Sequence, residues 1–77
     1  MSDAKADGNA REQLAELTEE HGWSRREVDR VDVYLRGVSR VRVIWAGDDL
    51  TGGSRYQDDV MEQYSRDPGT VQGWLTR

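Results

Sequence analysis

The sequence predicts an α+β fold: an N-terminal helix, a three-stranded antiparallel β-meander, and one or two C-terminal helices packed on one sheet face. Three observations predict it. Apolar residues recur at helical spacing after Ala10, alternate with polar ones from Val31 to Trp45, and follow acidic capping signals after Asp58.

The first nine residues, MSDAKADGN, hold no large apolar anchor after Met1 and predict a flexible tail, leaving residues 10–77 as one small domain. Leu14 and Leu17, with Ala10 and Ala15 less regularly spaced, give a helix of about three turns with a narrow apolar stripe. Asn9 with Glu12 three residues on echoes a capping box, and Gly22 after His21 is a C-terminal stop. Ser24 and Glu27 repeat the S-x-x-E pattern, so a short helix from Arg25 to about Asp29 is expected.

Val31, Val33 and Leu35 alternate with Asp32, Tyr34 and Arg36, and Val41, Val43 and Trp45 with Arg40, Arg42 and Ile44. Period two with β-branched and aromatic residues means two half-buried strands. A two-residue Gly37-Val38 turn sets Leu35 opposite Arg40 and Val33 opposite Arg42, mixing faces. A three-residue Gly37-Val38-Ser39 loop pairs Leu35 with Val41, Val33 with Val43 and Val31 with Trp45, and is favoured because it keeps one face apolar. That register puts Tyr34 opposite Arg42 and Arg36 opposite Arg40 on an outer face. Gly47-Asp48 is a hairpin signal that sets Trp45 against Leu50 and leads into a third strand with Leu50, Gly52, Ser54 and Tyr56 inward. Small residues at Gly52 and Ser54 predict a helix crossing close by. Asp58-Asp59 reads as N-capping acid for a helix to Ser65, and Asp67-Pro68 as N-cap and first residue of a last helix carrying Val71, Trp74 and Leu75.

Composition narrows the function. With 77 residues, 35% apolar and 34% charged, the core is small, and homodimerisation is one remedy. There is no Cys, hence no disulfide and no thiolate metal site. No apolar run nears the ~20 residues of a membrane span, and no signal-peptide core follows Met1, so no membrane role and a cytoplasmic location are expected. The net charge of −4 argues against general nucleic-acid binding. Of eleven basic side chains only Lys5 is lysine, which fits GC-rich coding or a use for bidentate arginine contacts.

No catalytic constellation is legible, and no enzyme or cofactor is expected. His21, the one histidine, sits at a helix end with no spacing to a serine that suggests a triad. The doublets Glu19-Glu20, Asp48-Asp49 and Asp58-Asp59 point apart on turns or strands, and Asp48, Asp49, Asp58 and Asp59 lack calcium-loop spacing. Gly52-Gly53-Ser54 has no lysine of a phosphate loop.

HGWSRREVDRVDVYLRG, RVRVIWAGDDLTGGSRYQDDV and DPGTVQGWL together resemble small proteins of mycobacteria, other actinobacteria and their bacteriophages. The likeness covers most of residues 10–77 and rests on structural motifs, so it carries no functional residue across. It implies a phage or prophage origin and action by binding a host protein. The expected function is therefore non-enzymatic protein–protein interaction with an unidentified protein partner, through an outer sheet face of Tyr34, Arg36, Arg40, Arg42, Ile44 and Arg55. One alternative is a helix-turn-helix DNA binder using residues 14–30, with Arg25, Arg26 and Arg30 on its second helix. Another is an acidic nucleic-acid mimic, disfavoured because the acids are interleaved with arginine.

Overall fold

A computed structural model of the chain describes residues 10–77. It is α+β, but the three-stranded meander must be corrected to a five-stranded antiparallel sheet in the order β1-β2-β3-β4-β5, with one helix before it and one after. The elements are α1 (Ala10–Glu20), β1 (Ser24–Val28), β2 (Val31–Arg36), β3 (Ser39–Ala46), β4 (Asp49–Gln57), β5 (Val60–Ser65) and α2 (Pro68–Leu75). The tail expected over residues 1–9 and the expected Asn9 cap lie outside the described residues.

Two segments expected as helices are strands, and aspartate at the turns is the reason. Asp29 has φ 57°, and Asp58 and Asp59 have φ 54° and 68°. Aspartate visits the left-handed region more readily than most residues, and two-residue hairpin turns require it there. Asp29-Arg30 therefore joins β1 to β2, with Val28 opposite Val31, and Asp58-Asp59 joins β4 to β5, with Gln57 opposite Val60. A five-residue helix over 25–29 offers too few hydrogen bonds to offset its nucleation, whereas a strand there extends an existing ladder.

The β2–β3 register is also corrected. The connection is the two-residue Gly37-Val38 turn, with Gly37 at φ 62°, so Arg36 pairs with Ser39, Tyr34 with Val41 and Asp32 with Val43. β2 thus turns Asp32, Tyr34 and Arg36 toward the helices and Val31, Val33 and Leu35 away. Burying the Tyr34 ring beside Val41 contributes more apolar area than a valine in its place, and the inward charges of Asp32 and Arg36 are partnered.

Both helices lie on the inner face. The core joins Leu14 of α1 and Trp23 to Tyr34, Val41, Val43 and Trp45 of the sheet and to Val71, Trp74 and Leu75 of α2. Leu17, expected in the α1 stripe, is 40% exposed, and Thr18 is buried instead. α2 begins as its sequence foretells: Asp67 Oδ2 accepts from the Thr70 amide at 2.9 Å, with Pro68 in the first turn. Trp23 Nε1 donates to the Leu75 carbonyl at 2.9 Å, tying the end of α2 to the start of β1.

The Gly47-Asp48 turn forms as expected and Trp45 pairs with Leu50, but a register shift follows, so Val43 meets Gly53 rather than Gly52. The close helix approach therefore falls on Gly53. A Cβ there would lie 2.8 Å from Val71 Cγ1 and 2.9 Å from the Arg42 carbonyl oxygen, so only glycine lets α2 seat on the sheet. The same turn delivers Asp48 to the start of α1, where its carboxylate accepts from the Ala10 and Arg11 amides at 3.2 and 3.4 Å. That is a capping role supplied from across the fold.

Candidate binding face of the sheet

Antiparallel pairing carries side chains of one face straight across the sheet, so the register defines three long rows on the side away from the helices, with the short pair Ala46–Asp49 beyond them at the turn end. One row runs Ser24, Leu35, Arg40, Tyr56, Met61; the next Arg26, Val33, Arg42, Ser54, Tyr64; the third Val28, Val31, Ile44, Gly52. None of the three contains an acidic residue, although the chain has fifteen. Val28 (53%), Met61 (55%) and Tyr64 (58%) are well exposed, Leu35 marginally so, and Val31, Val33 and Ile44 are half-buried.

The arginines on these rows differ. Arg40 Nη1 meets Asp59 Oδ1 at 3.0 Å from the β4–β5 turn, and its guanidinium lies 4.3 Å from the Tyr56 ring centre. Arg26 and Arg42 are exposed and form no ion pair among the described residues. The Tyr56 hydroxyl is held below its ordinary pKa, first by hydrogen bonding with Ser54 and then with Arg42. Tyr64 lies over Gly52, its hydroxyl 3.4 Å from where a Cβ would stand, so the ring covers the gap in β4.

Of the six residues expected on the outer face, the structure brings Arg40, Arg42 and Ile44 together and sends three elsewhere. Tyr34 is wholly buried. Arg36 points inward, its guanidinium 4.3 Å from the Trp23 ring centre and Nη1 donating to the His21 and Arg77 carbonyls at 2.9 and 3.1 Å. Arg55 lies beyond Val41 on the inner row and pairs with Glu62 at 3.0 Å. The residues that sequence reasoning missed, Arg26, Val33, Leu35, Tyr56, Met61 and Tyr64, take their places. The signal was present in the two-residue turn at 37–38 and in the left-handed capacity of Asp58-Asp59.

The inner face holds a charged cluster. Arg11 clasps Asp32 with Nε to Oδ2 at 2.9 Å and Nη2 to Oδ1 at 2.8 Å, and its Nη2 also donates to the Asp29 carbonyl at 3.0 Å. Arg25 Nε lies 3.3 Å from Asp32 Oδ1, while its Nη2 is 3.4 Å from Glu12 and 3.6 Å from Glu27. Burial pushes the Asp32 carboxyl up, but hydrogen bonds from Arg11 and then Arg25 outweigh it and hold the group below the usual carboxylate range. Burial first, and Asp32 second, push the adjacent Tyr34 phenol up to about 12. The charges here are mutually partnered, which is the condition for burying them.

An open groove of about 560 Å³ runs between α1 and β1, lined by Glu12, Ala15, Glu16, Glu19, Trp23, Ser24 and Arg25. Among the described residues no three His, Asp or Glu side chains are placed to hold a metal ion, and no helix is long and apolar enough to cross a membrane. Residues 24–28 form β1, so the second helix of a helix-turn-helix is absent from residues 14–30. No family model, curated protein or solved structure matches the chain.

Proposed function

We infer that the chain is a non-enzymatic protein-binding module whose outer sheet face is the contact surface. It works in the cytoplasm, as a phage- or prophage-encoded modulator of a host protein. One observation carries this reading: the outer rows leave aliphatic and aromatic side chains exposed together with two arginines that form no ion pair among the described residues, while helices cover the other face. An exposed apolar patch costs solubility, and contiguous patches of this kind mark interaction sites on small proteins. Arginine and tyrosine are the residue types that most often dominate binding energy at such sites. The sheet is also a rigid platform, because α1 and α2 brace it from behind and contribute no side chain to the outer rows.

The test is capture from a mycobacterial lysate by the tagged chain and by two variants with unchanged circular dichroism. Leu35→Glu with Arg42→Glu alters the outer face, and Glu16→Lys alters α1. The reading expects a partner retained by Glu16→Lys and lost by the sheet variant. Retention by the sheet variant and loss by Glu16→Lys would move the interface to the α1 groove.

A further inference from the structure

We propose that the occupant of the outer face is an acidic amphipathic protein segment, laid along β3, whose carboxylates meet Arg40 and Arg42 while its apolar side chains rest on Val33, Leu35 and Ile44. This rests on the protein-binding reading above and adds the chemistry of the partner.

Charge complementarity is the argument. The chain is acidic overall, yet its acids are kept off the three long outer rows, Asp49 standing beyond them at the turn end, and the residues on those rows are cationic, aromatic, apolar or small. Arg42 sits at the centre of its row with Val33 on one side and Ser54 on the other, and Arg26 stands beyond Val33. A partner carboxylate at Arg42 meets a guanidinium already positioned beside Tyr56 and, among the described residues, not committed to a carboxylate.

Spacing adds a geometric constraint. Arg40 and Arg42 are two residues apart on one face of β3, about 6.7 Å along the strand. Carboxylates at i and i+4 of a helix rise by about 6 Å, and those at i and i+2 of a strand by about 6.7 Å, so either form of segment reaches both arginines. Arg40 gives up Asp59, an exposed partner on a turn, at little cost.

Two other occupants fit less well. A second copy pairing two-fold through the same face brings the same three rows to both sides of the contact, so Arg26, Arg40 and Arg42 meet rows that hold no carboxylate. A nucleic acid can use the arginines and the tyrosine rings, but it has no use for a third row of Val28, Val31 and Ile44, and it meets a molecule of net charge −4.

The experiment titrates the ¹⁵N-labelled chain with three synthetic helical peptides identical except for their charged positions. Each carries leucine on one face and Glu, Gln or Lys at the i and i+4 positions beside it. A fifteen-nucleotide oligo-dT is the fourth probe, at about 50 mM and about 200 mM salt. The Glu peptide is expected to shift amides of residues 33, 35, 40, 42 and 44, to bind about tenfold more tightly than the Gln peptide at low salt, and to lose most of that margin at the higher salt. Arg42→Glu is expected to reverse the order, the Lys peptide then binding best.

If the Gln peptide shifts the same amides as strongly as the Glu peptide, the acidic partner is refuted and the protein-binding face stands. If oligo-dT shifts them more strongly than every peptide, both readings fall. Concentration-dependent shifts of these amides without any probe assign the face to a second copy and overturn the proposal. Shifts confined to α1 and β1, or none with any peptide, overturn it as well.

Discussion

Arg11 holds Asp32 through two parallel hydrogen bonds, 2.9 and 2.8 Å long, and the carboxylate it holds is wholly removed from solvent. The pair joins the first turn of α1 to the middle of the sheet and lets β2 turn a charged residue inward. Removing one partner of a buried pair leaves the other uncompensated, at a cost of about 3–5 kcal/mol. Asp32→Ala, which strands both Arg11 and Arg25, is expected to lose about that much. A chain of this length has about 4–11 kcal/mol in total, so urea unfolding is expected to show a midpoint far below that of the native chain. Arg11→Met is expected to be milder, because Arg25 still faces the carboxylate at 3.3 Å.

The same pair sets the acid limit of stability. The folded Asp32 carboxyl lies below its ordinary pKa, so its contribution is present above about pH 4 and is lost as the pH falls through the folded value. Thermal midpoints measured downward from pH 5 are expected to fall in the native chain, and less steeply in Asp32→Asn, which has no such proton to take up.

At the alkaline end Tyr34 governs. Its pKa in the folded protein is raised to about 12, so its contribution is fully present below about pH 10 and is lost as the pH rises toward 12. Ultraviolet titration is expected to show Tyr56 ionising before Tyr34. The Tyr34 phenolate is expected to form only with loss of the near-ultraviolet circular dichroism signal. Tyr34 and Tyr56 titrating together with the fold intact contradict the inward placement of Tyr34.

Gly52 and Gly53 are adjacent and respond differently to alanine. At Gly53 a methyl group meets Val71 at 2.8 Å and the Arg42 backbone oxygen at 2.9 Å, and the backbone oxygen cannot turn aside. Gly53→Ala is expected to cost about 1–3 kcal/mol by overpacking. At Gly52 the nearest atoms stand at 3.4 Å, and Gly52→Ala is expected to change stability by less than about 0.5 kcal/mol. Chemical denaturation of the two variants checks the difference.

The β4–β5 turn places two aspartates in the left-handed region, where glycine carries no Cβ penalty. Asp58→Asn with Asp59→Gly is expected to stabilise the hairpin by about 0.5–1 kcal/mol, after loss of the exposed Arg40–Asp59 pair, which contributes little. A thermal midpoint below that of the native chain refutes this account of the turn.

These residues also explain what the sequence disclosed. α1 and α2 were legible because their signals are local: helical spacing around Leu14, and Asp67-Pro68 at a helix start. β3 and the Gly47-Asp48 turn were legible from alternation and turn chemistry. β1 and β5 were not, because S-x-x-E and Asp-Asp before an apolar run serve helix caps and tight hairpins alike. The facing of β2 was hidden for a different reason. VDVYLR reads as apolar-in only until Asp32 is known to meet Arg11 and Arg25, and those partners are distant or on a strand read as helix. One face error then exchanged two of the six expected binding residues, moving Tyr34 and Arg36 inside and Val33 and Leu35 outside, and the register shift in β4 turned Arg55 inward.

The central claim is that a partner covers the outer rows of the sheet. The chain contains no cysteine, so a single introduced thiol reports cleanly on its own position. Leu35→Cys and Glu16→Cys, each reacted with a maleimide probe before and after complex formation with the captured partner, measure the claim most directly. The account predicts rapid labelling at both positions in the free protein, with strong protection at 35 and none at 16 in the complex. Protection at 16 with position 35 still reactive contradicts it.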